Sequence, residues 1–271
     1  MPPPSLEPTR RFSDRADDYT RARPGYPDAL ADALAAEAEL VPGSVVADVG
    51  SGTGISSELL LRRGCTVFGV EPNAEMRRAA ERALGDRAGF RSVDGTAEAT
   101  TLPDASVDLV TVAQAFHWLD PEGARREFAR ILRPGGRVAL FWNWRHLGGT
   151  PFMDAYEALL RRFGTDYGDV LRRWGVRQGS SLASFFGGPY VVRTFAHAHA
   201  LDLDGVRSFL RSLSYMPAPG HPDYEPMLRE LERIVAAHAR DGRVEMVYDA
   251  ELHVGALASR PPRPEEGPCS R

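Results

Sequence analysis

Asp48 and Glu71 are the two carboxylates whose spacing most directly implies chemistry, because the glycine-rich run Gly50-Ser51-Gly52-Thr53-Gly54 lies between them. Alternating glycines leave a bare backbone against which a ligand can lie, and a helix starting just beyond offers unpaired N–H groups. A dinucleotide site wants G-x-G-x-x-G, whose third glycine packs helix on strand. Counted from Gly50 that position is Ile55, and counted from Gly52 it is Ser57. The pattern here is instead Asp48-x-Gly50-x-Gly52-x-Gly54. An acid just before the glycines repels a pyrophosphate and suits a cationic, amino-acid-like ligand. Glu71 follows the next apolar run and is placed to accept both hydroxyls of a ribose. Ribose and positive charge without phosphate describe S-adenosylmethionine; a merely structural tight turn is the plain alternative.

These residues need a scaffold that brings them together. Val45, Val46, Ala47 and Val49 form the apolar run of a buried parallel strand, and Ile55, Leu59 and Leu60 recur at helical spacing until Gly64. From Val45 onward strand and helix alternate, which predicts an α/β, doubly wound sheet with helices on both faces. Strands are predicted at 45–49, 66–70, 89–93, 107–113 and 137–142, with helices at 55–63, 74–84 and 121–132 and a short turn after Thr96. Asp120-Pro121 opens the last of these helices and Pro134-Gly135-Gly136 ends it. Right-handed crossovers then put Asp48–Gly54, Glu71, Thr96-Ala97-Glu98 and Gln114–His117 along one rim, where open sheets bind ligands.

Before the sheet, Ser13 is a plausible cap of a short helix, and Pro27-Asp28 opens a second running to about Leu40. Phe12, Tyr19 and Tyr26 either close over the ligand crevice or cap the sheet edge. After Trp142 come a helix over Phe152–Phe163, an irregular stretch to Gly188 and a strand over Tyr190–Leu201. Helices over Leu203–Leu213 and Glu225–Ala239 follow, then a last strand over Val244–Val254. The expected division is a disordered tail at 1–10, one domain over 11–258 and a disordered tail at 259–271. Within the domain, 11–42 is a helical cap, 43–143 the cofactor core and 144–258 the acceptor-side region with the late strands.

With these residues in view, DVGSGTG, VEPN and FARILRPGG resemble the class I S-adenosylmethionine-dependent methyltransferases. Phe12…Tyr19…Arg23-Pro24-x-Tyr26-Pro27, Gln114-Ala115-Phe116-His117-Trp118 and Ser212-x-Ser214-Tyr215 resemble a narrower branch. It is the branch around trans-aconitate methyltransferase and the methyltransferase type 11 proteins. The resemblance covers about residues 12–257. It implies a Rossmann-like seven-stranded sheet whose last strand inserts antiparallel. It also implies that Asp48, Gly50, Gly52 and Gly54, with Ser51 and Thr53 between, hold the methionine end and Glu71 the ribose. Pro72 and Asn73 would border the adenine, and Gln114 and Ala115 would contact the cofactor. Thr96 stands where many relatives carry an acid before Ala-Glu.

Methyl transfer from a sulfonium needs alignment, dryness and, for a protonated acceptor, a base. His117, beside Trp118 on the rim, is the first candidate base and Tyr19 the second; an aromatic-packed histidine is the alternative for His117. Tyr26, Trp118, Asn143, Trp144, Arg145 and Tyr215 are expected on the acceptor side. Arg145 either neutralises an acceptor carboxylate or is a solvated surface side chain. His197 and His199 share a strand face at a metal-compatible spacing, but no third ligand is near and an exposed polar face is expected.

Bulk properties narrow the classes further. A chain of 271 residues with net charge −4 has room for one large core and no basic field for nucleic acid or membranes. All 33 basic residues are arginine; the run Arg161–Arg177 mixes them with aromatics but is broken by Asp166 and Asp169. Two cysteines, Cys65 and Cys269, make neither a disulfide framework nor a zinc set. No apolar stretch approaches a membrane span, which makes a cytoplasmic protein the default expectation; the site reading and the resemblance add an enzyme that methylates a small molecule at a carboxylate or hydroxyl oxygen. The alternatives are carbon methylation of a quinone-like ring, methylation of a tRNA base, or a fold-alike that binds the nucleoside without transferring methyl, as a binding protein or cyclase. The oligomeric state is not legible.

Overall fold

The computed structural model describes residues 23–176 and 179–258, and their side chains outside 172–181. The expectations for Phe12, Ser13, Tyr19 and both tails fall outside these residues. The first described helix, α1 (Asp28–Glu37), stops sooner than about Leu40. The alternating core follows as β1 (Val45–Val49), α2 (Ile55–Leu61), β2 (Thr66–Val70), α3 (Ala74–Leu84), β3 (Phe90–Val93) and β4 (Val107–Ala113). A 3-10 turn over Phe116–Trp118 leads to α4 (Pro121–Ile131) and β5 (Leu132–Arg145).

The seven strands form one sheet in the order β3-β2-β1-β4-β5-β7-β6, where β6 is Tyr190–Leu201 and β7 is Val244–Gly255. β1 to β5 pair in parallel, and β7 runs antiparallel to both neighbours, β5 and β6. The two late strands therefore complete the sheet that the 43–143 region begins. β5 is longer than the apolar run at 137–142. Its ladder with β4 shifts register between Val107↔Leu132 and Leu109↔Arg137, and this irregularity absorbs Pro134-Gly135-Gly136. Those residues do not simply end a helix.

Strand alternation divides the core. On one face Val49, Val110, Val112, Leu140 and Trp142 pack with Phe128 and Ile131 of α4. On the other, Val46, Leu109, Ala139 and Phe141 pack with Leu30 and Leu34 of α1 and Leu59 and Leu60 of α2. A third core stands over the far end of β5 and β7, built from α5 (Pro151–Phe163), α8 (Leu203–Ser212) and α9 (Tyr224–His238). It centres on Tyr156, Leu160, Phe209, Leu210, Leu231 and Tyr248, all 3% exposed or less.

The stretch expected to be irregular up to Gly188 contains two helices, α6 (Tyr167–Val176) and α7 (Gly179–Phe186). α7 forms because Leu182, Phe185 and Phe186 fall on one helical face and bury it against the β4–α4 side of the sheet. Among the described residues, no helix is long and apolar enough to cross a membrane.

Candidate cofactor and acceptor site

The glycine loop is fixed from three sides. Gly50 donates its N–H to Val70 O at 2.8 Å, which ties the end of β1 to β2. Gly50 has φ +69°, and a Cβ there would sit 2.6 Å from the Ala115 Cβ, so only glycine lets the loop touch the end of β4. Gly52 has φ +56°, and a Cβ there would meet nothing within 4 Å, so this stretch of backbone faces open space. Its N–H donates to Glu71 Oε2 at 3.0 Å, while Asn73 N–H donates to Glu71 Oε1 at 2.9 Å. Glu71 thus lies across the mouth of the loop, half-buried, with lone pairs to spare. Burial pushes its carboxyl above the usual range; the N–H bonds of Asn73 and Gly52 and the charge of Arg77 oppose the shift, and Asp48 reinforces it. One residue beyond Gly52, the Thr53 hydroxyl is buried with no partner among the described residues. A bare backbone, a ribose-competent carboxylate and an orphaned hydroxyl are features that an adenosyl amino acid would satisfy.

Asp48 does not reach this surface. Its carboxylate is 0% exposed and accepts from Ser56 Oγ at 2.7 Å, Ser57 Oγ at 2.6 Å and Thr111 Oγ1 at 2.8 Å. Burial raises its pKa, with the three hydroxyls acting the other way. The expectation of direct contact with the methionine end is corrected: the side chain binds the start of α2 to β4 from behind the loop. Asn73 likewise turns its oxygen inward, capping α3 through Glu75 N at 2.9 Å and Met76 N at 3.2 Å. Pro72 beside it is exposed.

After β3, Thr96 and Ala99 form an isolated bridge that carries Ala97 into the core and leaves Thr96 exposed. Glu98 accepts the Asp120 N–H at 2.9 Å, so its carboxylate fastens the start of α4. Asp94 is paired with Arg77 at 2.8 Å. At the end of β4, Gln114 adopts φ +56°, unusual for a residue with a Cβ. It is pinned there by its N–H on Phe141 O at 2.9 Å and its Nε2 on Asn143 O at 3.2 Å. His117 follows in the 3-10 turn, half-buried, its ring 4.9 Å from that of Trp118.

The acceptor-side residues separate. Asn143 and Arg145 share one face of β5, while Trp144 lies on the other, stacked on Trp142 at 6.0 Å. The expectation that all three face the acceptor is corrected by this period of two. Asn143 links three segments: Nδ2 donates to Gly25 O at 3.1 Å, and Oδ1 meets His197 Nε2 at 2.9 Å. Tyr26 packs edge-on to Phe141 at 4.8 Å. A cleft of about 280 Å³ opens here, lined by Pro24–Pro27 and by His197, Ala198 and His199. His197 and His199 are therefore half-buried, not an exposed polar face, because the segment before α1 lies over edge strand β6. Burial lowers both imidazoles.

Arg145 is not a solvated arginine. Its guanidinium donates to Glu157 Oε2 at 2.7 Å and Tyr167 Oη at 2.8 Å, with the side chain 11% exposed. Tyr215, 5% exposed, stacks on Tyr167 at 4.9 Å. Sequence reasoning did not single out Glu157, Tyr156, Tyr167 or Tyr248 around it. The signal was available for Glu157, a lone acid on the helix face that Phe152, Met153, Tyr156 and Leu160 bury.

Fold and rim together define a Rossmann-like nucleoside-binding domain with an antiparallel penultimate sheet position. A methyltransferase domain family matches residues 47–140. An uncharacterised methyltransferase of Mycobacterium tuberculosis is 43% identical over 136 residues, 49% of this chain and 52% of its own length. The chain thus spans about half the length (52%) of these relatives. An uncharacterised methyltransferase-like protein of Schizosaccharomyces pombe is 32% identical over 231 residues, 83% of this chain and 86% of its own. A provisionally assigned type II methyltransferase from Anaeromyxobacter dehalogenans superposes with TM-score 0.64 at 23% identity, covering 87% of this chain and 98% of that one. It shares the fold. The chain belongs to the class I S-adenosylmethionine-dependent methyltransferase family.

Proposed function

We propose that the protein transfers a methyl group from S-adenosylmethionine to an oxygen, carboxylate or hydroxyl, of a small molecule in the cytoplasm. The observation that carries the cofactor reading is Glu71 at the mouth of the glycine loop, bonded to the Gly52 N–H, with the Thr53 hydroxyl, unpartnered among the described residues, one residue on. The bound cofactor supplies an electrophilic methyl carbon on a positively charged sulfur.

The chain's own groups bind, orient and exclude water. Glu71 takes the ribose hydroxyls, and the Gly50–Gly54 backbone with Thr53 takes the amino-acid end. Gln114 and Ala115 border the opposite wall, held by the Phe141 and Asn143 carbonyls. Charge is annihilated when an anionic oxygen meets a sulfonium, so a site walled by Trp118 and the Arg23–Pro27 segment favours the spread-out transition state over separated ions. His117 accepts the proton of a hydroxyl acceptor, a contribution of about 10²–10⁴-fold. Tyr19 is the second candidate for that role.

Transfer of label from methyl-labelled S-adenosylmethionine into a metabolite panel tests the reading. Label in small molecules, on oxygen, supports it. Label in RNA or on ring carbon moves the acceptor, and tight cofactor binding without turnover across a broad panel makes the protein a binding protein or cyclase.

A further inference from the structure

The third core, over the ends of β5 and β7, holds three buried tyrosines, one of them with a hydroxyl unpartnered among the described residues. Tyr156 is 0% exposed and its hydroxyl has no partner. Tyr248 is 2% exposed, and its hydroxyl meets only the thioether of Met246 at 3.5 Å, a weak acceptor. Tyr215 stacks on Tyr167, which donates to the same cluster, at 4.9 Å. An apolar core could carry phenylalanine at position 156 at lower cost, since a buried donor without an acceptor is unfavourable.

Guanidinium groups lie beside the same cluster of rings. The Arg145 guanidinium lies 5.4 Å from the centre of the Tyr156 ring. Arg145 and Arg23 both act electrostatically on Tyr156, Tyr215 and Tyr248. Arg23 is brought in by its Nε on Ser212 Oγ at 3.2 Å and by its stacking over Phe209 at 5.2 Å. The nearby carboxylate of Glu157 accepts from Arg145 at 2.7 Å and Tyr167 at 2.8 Å on one oxygen; the other lies 2.9 Å from Arg161 as an ion pair, without a hydrogen bond among the described residues. Asp166 is a second acid acting on Tyr215. Burial raises all three phenols, Tyr215 to about 12, so each remains a donor at neutral pH.

We propose that Tyr156, Tyr215 and Tyr248, with Arg145 and Arg23, form a subsite that anchors a carboxylate of the methyl acceptor. The assignment rests on the methyltransferase reading above and names the substrate class for that site. A buried donor without an acceptor, among tyrosines and guanidinium groups, recognises an oxyanion, and a planar, singly charged carboxylate suits a site in which Glu157 already balances part of the charge. The position fits: Arg145 is two residues beyond Asn143, whose carbonyl holds Gln114 on the cofactor rim, and two strand residues span about 7 Å. The anchor therefore sits roughly one small-molecule length from the rim.

The test uses the full chain saturated with S-adenosylhomocysteine. It is titrated calorimetrically with small aliphatic and aromatic carboxylic acids, their primary amides and phosphomonoesters of the matching alcohols, and the same panel is offered for label transfer. The expected result is that acids bind and amides do not compete. Tyr156→Phe with Tyr248→Phe should weaken the acid by about 10–150-fold and leave the S-adenosylhomocysteine affinity unchanged. The single change Tyr156→Phe should leave the thermal midpoint equal or higher, which separates loss of recognition from loss of fold. Acids and amides binding alike, no acid binding, a preference for phosphomonoesters, or a double variant that keeps the acid preference would each overturn the subsite. Failure of S-adenosylhomocysteine to bind the wild-type protein would instead overturn the cofactor reading, and this assignment with it.

Discussion

Replacing Glu71 by glutamine and by alanine tests how the cofactor is held. Its two oxygens already take the Gly52 and Asn73 N–H groups at 3.0 and 2.9 Å, and the remaining lone pairs are what a ribose diol would use. A hydrogen bond to a charged acceptor contributes about 1.5–3 kcal/mol. Glutamine keeps one acceptor oxygen, so Glu71→Gln should lose about 1.5–3 kcal/mol, or about 10–150-fold in S-adenosylhomocysteine affinity. Alanine removes both, about 3–6 kcal/mol, or about 10²–10⁴-fold. The pH dependence adds a second signature. Burial holds the Glu71 carboxyl above its usual range, so the free protein takes up a proton there sooner than an exposed glutamate does. A ribose that needs the carboxylate must displace this proton, so wild-type affinity should fall as pH falls through the raised pKa. The glutamine variant, which lacks the proton but keeps the buried Asp48, should lose that part of the dependence. Calorimetric titration over a pH series, with thermal midpoints to confirm folding, reads both effects. Equal affinities for wild type and alanine variant, or identical pH profiles for wild type and glutamine variant, would refute the ribose assignment.

Four further outcomes follow from the same geometry. His117→Ala should reduce turnover by about 10²–10⁴-fold while cofactor affinity stays near wild type; an undiminished rate would make the imidazole a pocket wall. Gly50→Ala forces a Cβ to 2.6 Å from Ala115 at φ +69° and should cost about 1–3 kcal/mol in urea unfolding, so an unchanged midpoint would contradict the loop's packing. Glu157→Gln leaves the buried Arg145 with a poorer partner and should destabilise by about 3–5 kcal/mol, whereas adding Arg145→Met should cost less than the sum; strict additivity would show the pair is not coupled. His197 and His199 sit below the 6.5 of a free imidazole because they are buried, so the unfolded chain protonates first as pH falls. Stability should therefore decline as pH drops below about 6.5 and level off once the folded imidazoles also protonate, and a double glutamine variant should be flatter there.

The sheet was legible where each strand is an apolar run closed by glycine or an acid. β1, β2 and β4 begin and end where the pattern does, since their burial on both faces leaves no other reading, and edge strand β6 does so through its alternation alone. β5 was read short because Pro134-Gly135-Gly136 marks a break locally, and only its register shift against β4 shows that the strand begins earlier. The helix α7 was missed although Leu182, Phe185 and Phe186 have helical spacing, because Gly-Ser-Ser at its start signals a loop. Within the site, Gly50–Gly54 and Glu71 could be placed from spacing alone. What lay beyond reach were directions: whether Asp48 faces the ligand or Ser56, Ser57 and Thr111, and whether Trp144 joins Asn143 or opposes it. The Arg145 cluster depends on Glu157 and Tyr167, 12 and 22 residues away, brought over the sheet end by the packing of α5 and α6.

Calorimetry on the wild-type chain with S-adenosylhomocysteine and with NADH, run side by side, tests the central claim most directly. The account predicts saturable heat with the first, one molecule per chain, and none with the second. Heat with NADH alone would contradict it.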